Sequence, residues 1–382
     1  MTGEKEQIVK TQFYDHDQPF ELGCGSFVEG MRLAYETYGE LNPNKDNAIL
    51  IFHALTGSQH AAGFNKSVDG AQDLWTEDCH LGWWNDFIGP GKGIDTNKFF
   101  VICINYLGGC YGSTGPSSIN PRTGRPYGGD FPHISISDIV KSQKLVIDHL
   151  EIERLHAIIG PSLGGLMCLS YAGLFPEGVI NIISIGSGYK VPALQKLLTL
   201  EQIMAIENDP YFNDGHYYSG AKPQSGLCLA RMISHKTFIS LYYLQDRAKG
   251  EVRQLDSPLN WYSLSDPMES YMLHQGKKFV TRFDANTYLR IMEAWQTFDL
   301  LVHSQKSSVK EFFDKSRNHK YLVFSIDSDV CFYPEQQSEL NQILKEHQIQ
   351  SMHITVHSEK GHDSFLLEPD LFAPHLSFSL AK

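Results

Sequence analysis

The chain has no stretch approaching the roughly 18 consecutive apolar residues that a membrane-spanning helix needs, and Met1 to Lys10 is polar and charged, without the apolar segment of a secretory signal. It has no run of Lys or Arg either: 32 basic residues stand against 44 acidic ones, for a formal net charge of −12. Such a surface repels nucleic acid and anionic membranes rather than recruiting them, and its plain reading is solubility. The seven cysteines, an odd number, stand singly at Cys24, Cys79, Cys103, Cys110, Cys168, Cys228 and Cys331, with no Cys-x-x-Cys pair to hold zinc or run dithiol chemistry. They read as small buried apolar residues in a reducing compartment. The 17 histidines include no His-Glu-x-x-His, so no metal is expected. A cytoplasmic location is the default expectation.

What is present is a globular composition, 42% hydrophobic and 20% charged over 382 residues, enough for one large domain or two ordinary ones. Ala48-Ile-Leu-Ile-Phe-His53 and Phe99-Phe-Val-Ile-Cys-Ile-Asn105 are continuous apolar runs, which suit strands covered by helices on both faces. Leu155 to Gly160 and Val179 to Ser184 read the same way, with a buried helix over Leu163 to Phe175 between them. Ser137 to Leu150 carries Ile139, Leu145, Val146 and Leu150 near helical spacing, with Asp138 in its first turn. Strand and helix therefore alternate, and a largely parallel α/β sheet is expected.

From about Val191 to Val302 the pattern changes to helix-like stretches rich in Leu, Met, Tyr and Gln, broken at Pro210, Pro223 and Pro258, which reads as a helical insertion. The α/β pattern resumes with a strand at Lys320 to Ile326, a helix over Pro334 to Glu346, a strand at Met352 to Val356 and a last helix after His362.

Gly160-Pro-Ser162-Leu-Gly164 is a Gly-x-Ser-x-Gly motif between a predicted strand and a predicted helix, the place of a nucleophile elbow. A serine nucleophile needs a base, and the base an orienting carboxylate, in the chain order Ser, Asp or Glu, His. The chain supplies that order. Asp327 and Asp329 lie at the carboxyl end of a predicted strand, and His362 lies in the loop after the next one, where ligand-facing residues of an open sheet project. Two residues apart in one loop, either aspartate could reach His362; for Asp327 the competing role is a turn cap. The oxyanion of the tetrahedral intermediate needs backbone N–H donors. Leu163, next to the nucleophile, supplies one, and Leu55 in the loop His53-Ala-Leu-Thr-Gly57 is the candidate for the other; His53 itself reads as structural. Gly89-Pro-Gly-Lys-Gly93 lacks phosphate-loop spacing and reads as a turn, and Gly108-Gly-Cys-Tyr-Gly112 lacks the register of a dinucleotide site.

These residues, with the long Asn105 to Arg125 stretch, the Arg282-Phe-Asp-Ala-Asn286 block and Gly361-His-Asp-Ser-Phe365, make the chain resemble, almost from end to end, the homoserine O-acetyltransferase family of α/β-hydrolase acyltransferases. The resemblance implies an α/β-hydrolase core over residues 1–187 and 306–382, with a mostly parallel sheet, and an inserted helical lid over 188–305 that commonly builds a homodimer. It implies ping-pong transfer from acetyl-CoA, or another acyl-CoA, to L-homoserine in methionine biosynthesis, with no bound cofactor and with Asp329 as the triad acid. It assigns the acceptor's carboxylate to Arg231 of an Ala-Arg-Met segment and its ammonium to Asp363. Guanidinium matches carboxylate bidentately, which suits the first assignment; a lid salt bridge for Arg231 and a helix cap for Asp363 compete. The elbow departs from the usual Gly-Gly-Ser-Met-Gly-Gly, Ser58 stands where an acid is frequent, and Phe238 where a tyrosine is. Succinyl-CoA as donor, serine as acceptor, water as acceptor in an esterase, and a non-catalytic binding module are the other readings.

Overall fold

The computed structural model describes residues 7–251 and 259–381; Pro258 and the first six residues of Met1 to Lys10 lie outside them. Among the described residues an eight-stranded sheet forms from β1 (Gln12–His16), β2 (Met31–Tyr38), β3 (Ala48–Ile51), β4 (Phe100–Ile104), β5 (Leu155–Pro161), β6 (Val179–Ile185), β7 (Lys320–Ile326) and β8 (Gln350–Val356). Their spatial order is β1-β2-β4-β3-β5-β6-β7-β8. From β4 across to β8 all neighbours are parallel, while β2 runs antiparallel to both β1 and β4.

Helices α1 (Ile136–His149) and α2 (Leu163–Leu174) flank β5 in the chain. Between β6 and β7 come α3 (Ala193–Glu207), α4 (Gln224–Phe238), α5 (Leu241–Glu251), α6 (Pro267–Val280), α7 (Ala285–Gln296), α8 (Leu300–His303) and α9 (Val309–Asp314). Helix α10 (Pro334–Glu346) joins β7 to β8, and α11 (Ser364–Leu367) and α12 (Pro369–Leu380) follow β8.

The continuous apolar strands make sense once both faces are seen. Successive side chains still alternate across the sheet, but each side has its own apolar layer. Leu50, Ile158, Ile182 and Val323 pack with Leu166 and Leu169 of α2. Ile49, Ile159, Ile183 and Phe324 pack on the other side with Phe372 and Leu376 of α12. The start of α1 is fixed by a capping box, Ser135 Oγ accepting the Asp138 N–H and Asp138 Oδ2 accepting the Ser135 N–H.

Two features differ from expectation. Strand β3 ends at Ile51 rather than at His53: the His53 carbonyl accepts the Tyr106 hydroxyl and its ring turns to the Ala54 carbonyl, 2.8 Å away. Strands β1 and β2 do not emerge from hydropathy, because the buried face of β2 carries a glutamate, Glu36, in mid-strand. The inserted helices share their core with the sheet, as Ile206, Leu227, Phe279 and Tyr288 belong to the same apolar cluster as Leu50 and Ile158. Helix α4 packs on α3, on α6 and on the turn Gly361–Asp363.

Candidate active site

At the end of β5 the chain reverses into α2 through Ser162, whose φ of 56° and ψ of −129° are a backbone state that side chains rarely adopt. Glycines make that turn sterically possible. A Cβ at Gly160 would lie 2.1 Å from the Gly164 carbonyl oxygen, one at Gly164 2.1 Å from the Phe52 carbonyl oxygen, and one at Gly165 2.4 Å from Ser187 Cβ. The Ser162 N–H is anchored on the Ile185 carbonyl of β6 at 2.9 Å, which aims the hydroxyl away from the sheet end.

His362 receives that hydroxyl. Its Nε2 lies 2.8 Å from Ser162 Oγ and its Nδ1 2.6 Å from Asp329 Oδ2. All three residues are buried. The other Asp329 oxygen accepts the Cys331 and Phe332 N–H groups at 2.7 and 2.9 Å. The imidazole is wedged by Phe332 stacked at 5.6 Å and Phe365 edge-on at 5.2 Å. Burial pushes the His362 pKa down, but the charge and hydrogen bond of Asp329, with Asp363 adding to them, outweigh it and leave it raised. Asp327 points elsewhere: its carboxylate takes the His357 ring at 2.8 Å and the Ser358 N–H at 3.0 Å. The ambiguity between the two aspartates is resolved geometrically in favour of Asp329. Between them Ser328 bonds the Ser358 carbonyl and accepts the Gly361 N–H, locking the acid loop to the histidine loop.

Leu55, Ser162, Arg231, Phe238, Arg282 and Asp363 line one cavity of about 350 Å³. Among the described residues neither the Leu55 nor the Leu163 N–H has an acceptor, so both remain available to a negatively charged oxygen. His53 lies below that loop as a neutral ring, its pKa lowered to about 4 by burial, stacked on Tyr106 at 3.6 Å; it is structural, as its sequence context suggests.

The inserted helices form the wall facing Ser162. Arg231 of α4 sits between the rings of Phe238 and Phe279, 5.2 and 4.9 Å from their centroids. Among the described residues it makes no ion pair. Burial and the neighbouring Arg282 push its pKa below the usual guanidinium value, and Asp363 opposes them. The Asp363 side chain caps no helix, and burial pushes its pKa up to about 6 against the pull of His362 and Arg231.

Sequence reading missed Arg282, Tyr111 and Phe279 as wall residues. Arg282 and Tyr111 both lie inside blocks that carry the family resemblance without a role of their own. The Gly89 to Gly93 segment is a turn, with Lys92 Nζ on the Asn85 carbonyl at 2.5 Å. Among the described residues no group of three or more His, Cys, Asp or Glu is arranged to hold a metal ion, and no helix is long and apolar enough to cross a membrane.

A family model for the alpha/beta hydrolase fold matches residues 47–369. Curated relatives include a homoserine O-acetyltransferase of Deferribacter desulfuricans, 39% identical over 363 residues that span 95% of this chain and 93% of the relative. A homoserine O-succinyltransferase of Neisseria gonorrhoeae is 41% identical over 366 residues, 96% of this chain and 93% of the relative. Among solved structures, homoserine O-acetyltransferase from Bacillus anthracis matches with a TM-score of 0.87 at 26% identity over 98% of each chain. Esterase E22 matches with a TM-score of 0.85 at 28% identity over 97% of this chain and 100% of that one. With elbow, fold and near-complete coverage in agreement, the chain belongs to the homoserine O-acyltransferase family of the α/β-hydrolase fold.

Proposed function

We propose that this protein transfers an acetyl group from acetyl-CoA to the hydroxyl of L-homoserine through an acyl-Ser162 intermediate. His362 Nε2 takes the Ser162 proton as Oγ attacks the thioester carbonyl, Asp329 stabilises the imidazolium, and the Leu55 and Leu163 N–H groups receive the oxyanion. Collapse breaks the C–S bond, and His362 returns the proton to the leaving thiolate. The homoserine hydroxyl then gives its proton to His362 and attacks the acyl ester; the second collapse restores Ser162 with that proton.

One observation carries the choice of acceptor. Among the described residues, Arg231 presents a guanidinium without a carboxylate, and Asp363 a carboxyl group with neither an ion pair nor a hydrogen bond, on the walls of the cavity that holds Ser162. A zwitterionic α-amino acid completes both at once, its carboxylate on the planar fork and its ammonium returning Asp363 to the ionised form. Esterase chemistry on water uses neither group.

Mass spectrometry of products from mixed acetyl- and succinyl-CoA, with homoserine, serine and water competing, tests the proposal. O-acetylhomoserine is the expected main product. O-succinylhomoserine would change the donor, O-acetylserine the acceptor, and free acetate alone would make the protein an esterase. Arg231→Lys keeps the charge but loses the bidentate fork. It is expected to cost on the order of 1.5–3 kcal/mol in kcat/KM for homoserine, seen chiefly as a raised KM. The acyl-CoA burst, which precedes acceptor binding, should survive; a stopped-flow trace without the burst would move Arg231 to the donor site or to lid structure.

The same reading has the protein act in methionine biosynthesis in the cytoplasm, as a homodimer joined through the inserted helices. Leu194, Leu197, Leu200 and Met204 of α3 are each about half exposed and form an apolar stripe that a second copy would cover. A sedimentation mass of one chain at micromolar concentration would remove the dimer.

A further inference from the structure

A second buried carboxylate–imidazole pair, Glu36 and His60, lies against the same cavity, with His60 among its lining residues, and the acyl-transfer steps above make no use of it. Glu36 of β2 is fully buried, yet four donors converge on its carboxylate. The Thr11 hydroxyl and the Asn65 amide reach Oε1 at 2.7 and 2.8 Å; the Tyr38 hydroxyl and His60 Nδ1 reach Oε2 at 2.9 and 2.7 Å. His60 is as buried as its partner, and its other ring nitrogen lies 2.9 Å from the His80 carbonyl oxygen. A carbonyl only accepts, so the ring nitrogen on His80 carries a proton, and the other nitrogen shares one with the Glu36 carboxylate. Burial pushes the Glu36 pKa up, but the hydrogen bond and charge of His60, with Thr11 and Asn65, bring it below the usual value.

The pair stands where two walls of the cavity meet. One wall is the loop from Ala54 to Ser58, which carries the Leu55 N–H; the other includes Asp78, Cys79, Leu81 and Trp83. His60 ties the two together. Its ring holds the His80 carbonyl, its own carbonyl accepts the Trp83 N–H at 3.2 Å, and its N–H donates to Ser58 Oγ at 3.2 Å. The Trp83 indole closes the brace on the Ser58 carbonyl at 2.9 Å.

We propose that His60, held in place by Glu36, is a positioning residue for acyl transfer, holding the loop that presents the Leu55 N–H to the oxyanion. The inference rests on the reading of Ser162 as the acylated residue and of Leu55 as an oxyanion donor. Both tetrahedral intermediates use the same donors, so a loosened loop slows both half-reactions alike and leaves substrate binding unchanged.

Two measurements test it. In full-length protein labelled with ¹⁵N-histidine, the His60 Nε2 proton, bonded to the His80 carbonyl, is expected to exchange slowly with solvent; an unprotonated Nε2, or a proton that exchanges freely, overturns the proposal. In His60→Gln, whose side chain cannot donate to Glu36 and to the His80 carbonyl together, acylation and transfer rate constants should each fall about ten- to a hundredfold. That is less than the 10²–10³ expected for deleting a donor outright. KM for each substrate should stay within about twofold. Unchanged rate constants in a less heat-stable protein, or a loss confined to KM or to one half-reaction, would reduce His60 to a structural role. If the variant does not fold, the wild-type spectrum decides alone. Failure of the underlying reading is distinguishable, since it would show as wild-type protein that acyl-CoA never acylates.

Discussion

Ser162→Ala or His362→Ala should lower turnover by about five to six orders of magnitude, because the members of a triad act as a unit and either loss disables the whole of it. The size of the effect follows from the contacts. Among the described residues Ser162 Oγ has one base, 2.8 Å away, and neither neighbouring imidazole can take its place: His53 faces the Ala54 carbonyl and His60 is bonded at both nitrogens. What survives should be the contribution of the N–H donors and of binding, not a slower version of the same route. Kinetics with acetyl-CoA and homoserine, together with fluorophosphonate labelling, check this; residual activity within tenfold of wild type would remove the triad assignment. Ser162→Ala is expected to fold, since the strained turn is imposed by its anchors and not by the hydroxyl. Full labelling at Ser162 with no acyl transfer would instead separate the nucleophile from the proposed substrates.

The elbow was legible in the sequence because its spacing mirrors a steric demand. Positions 160, 164 and 165 are glycine where any Cβ would lie within 2.4 Å of a neighbouring atom. The parallel sheet was legible for a similar reason, as strands covered on both faces leave uninterrupted apolar runs. Where a polar residue is buried in a strand, that signal fails. Glu36 hides β2, and the donors that satisfy it come from Thr11, Asn65 and His60, which no local window brings together. The cavity wall was harder still. Tyr111 and Arg282 are 171 positions apart and meet only after the helices between β6 and β7 have packed. Arg231 entered through resemblance alone; its distinguishing feature, a guanidinium seated on two phenyl rings with no carboxylate partner among the described residues, exists only in three dimensions.

The choice of acid is the sharpest case, and it yields the second large effect. Asp327 and Asp329 sit on one turn after β7 and are indistinguishable by type and spacing, but the turn sends them to different histidines. Asp329→Asn should cost about ten-thousandfold in kcat, the scale set by the equivalent change in a serine protease, where the wrong tautomer is held and imidazolium loses its counter-charge. Asp327→Asn loses a half-exposed bond to His357 and should stay within about tenfold of wild type, since exposed pairs contribute only about 0–1 kcal/mol. A pH profile adds an independent reading. His362 works as a base only when neutral, and its pKa is raised on balance because Asp329 outweighs burial. Activity should therefore fall with pH below that raised value. With the Asp329 charge gone, burial dominates, so the residual activity of Asp329→Asn should persist to lower pH, its acid limb moving down. The limb of Asp327→Asn should not move. If Asp327→Asn were the crippled variant, or if it alone shifted the acid limb, the two aspartates would have to exchange roles, and the contact of 2.6 Å between Asp329 and His362 could not be the one that catalysis uses.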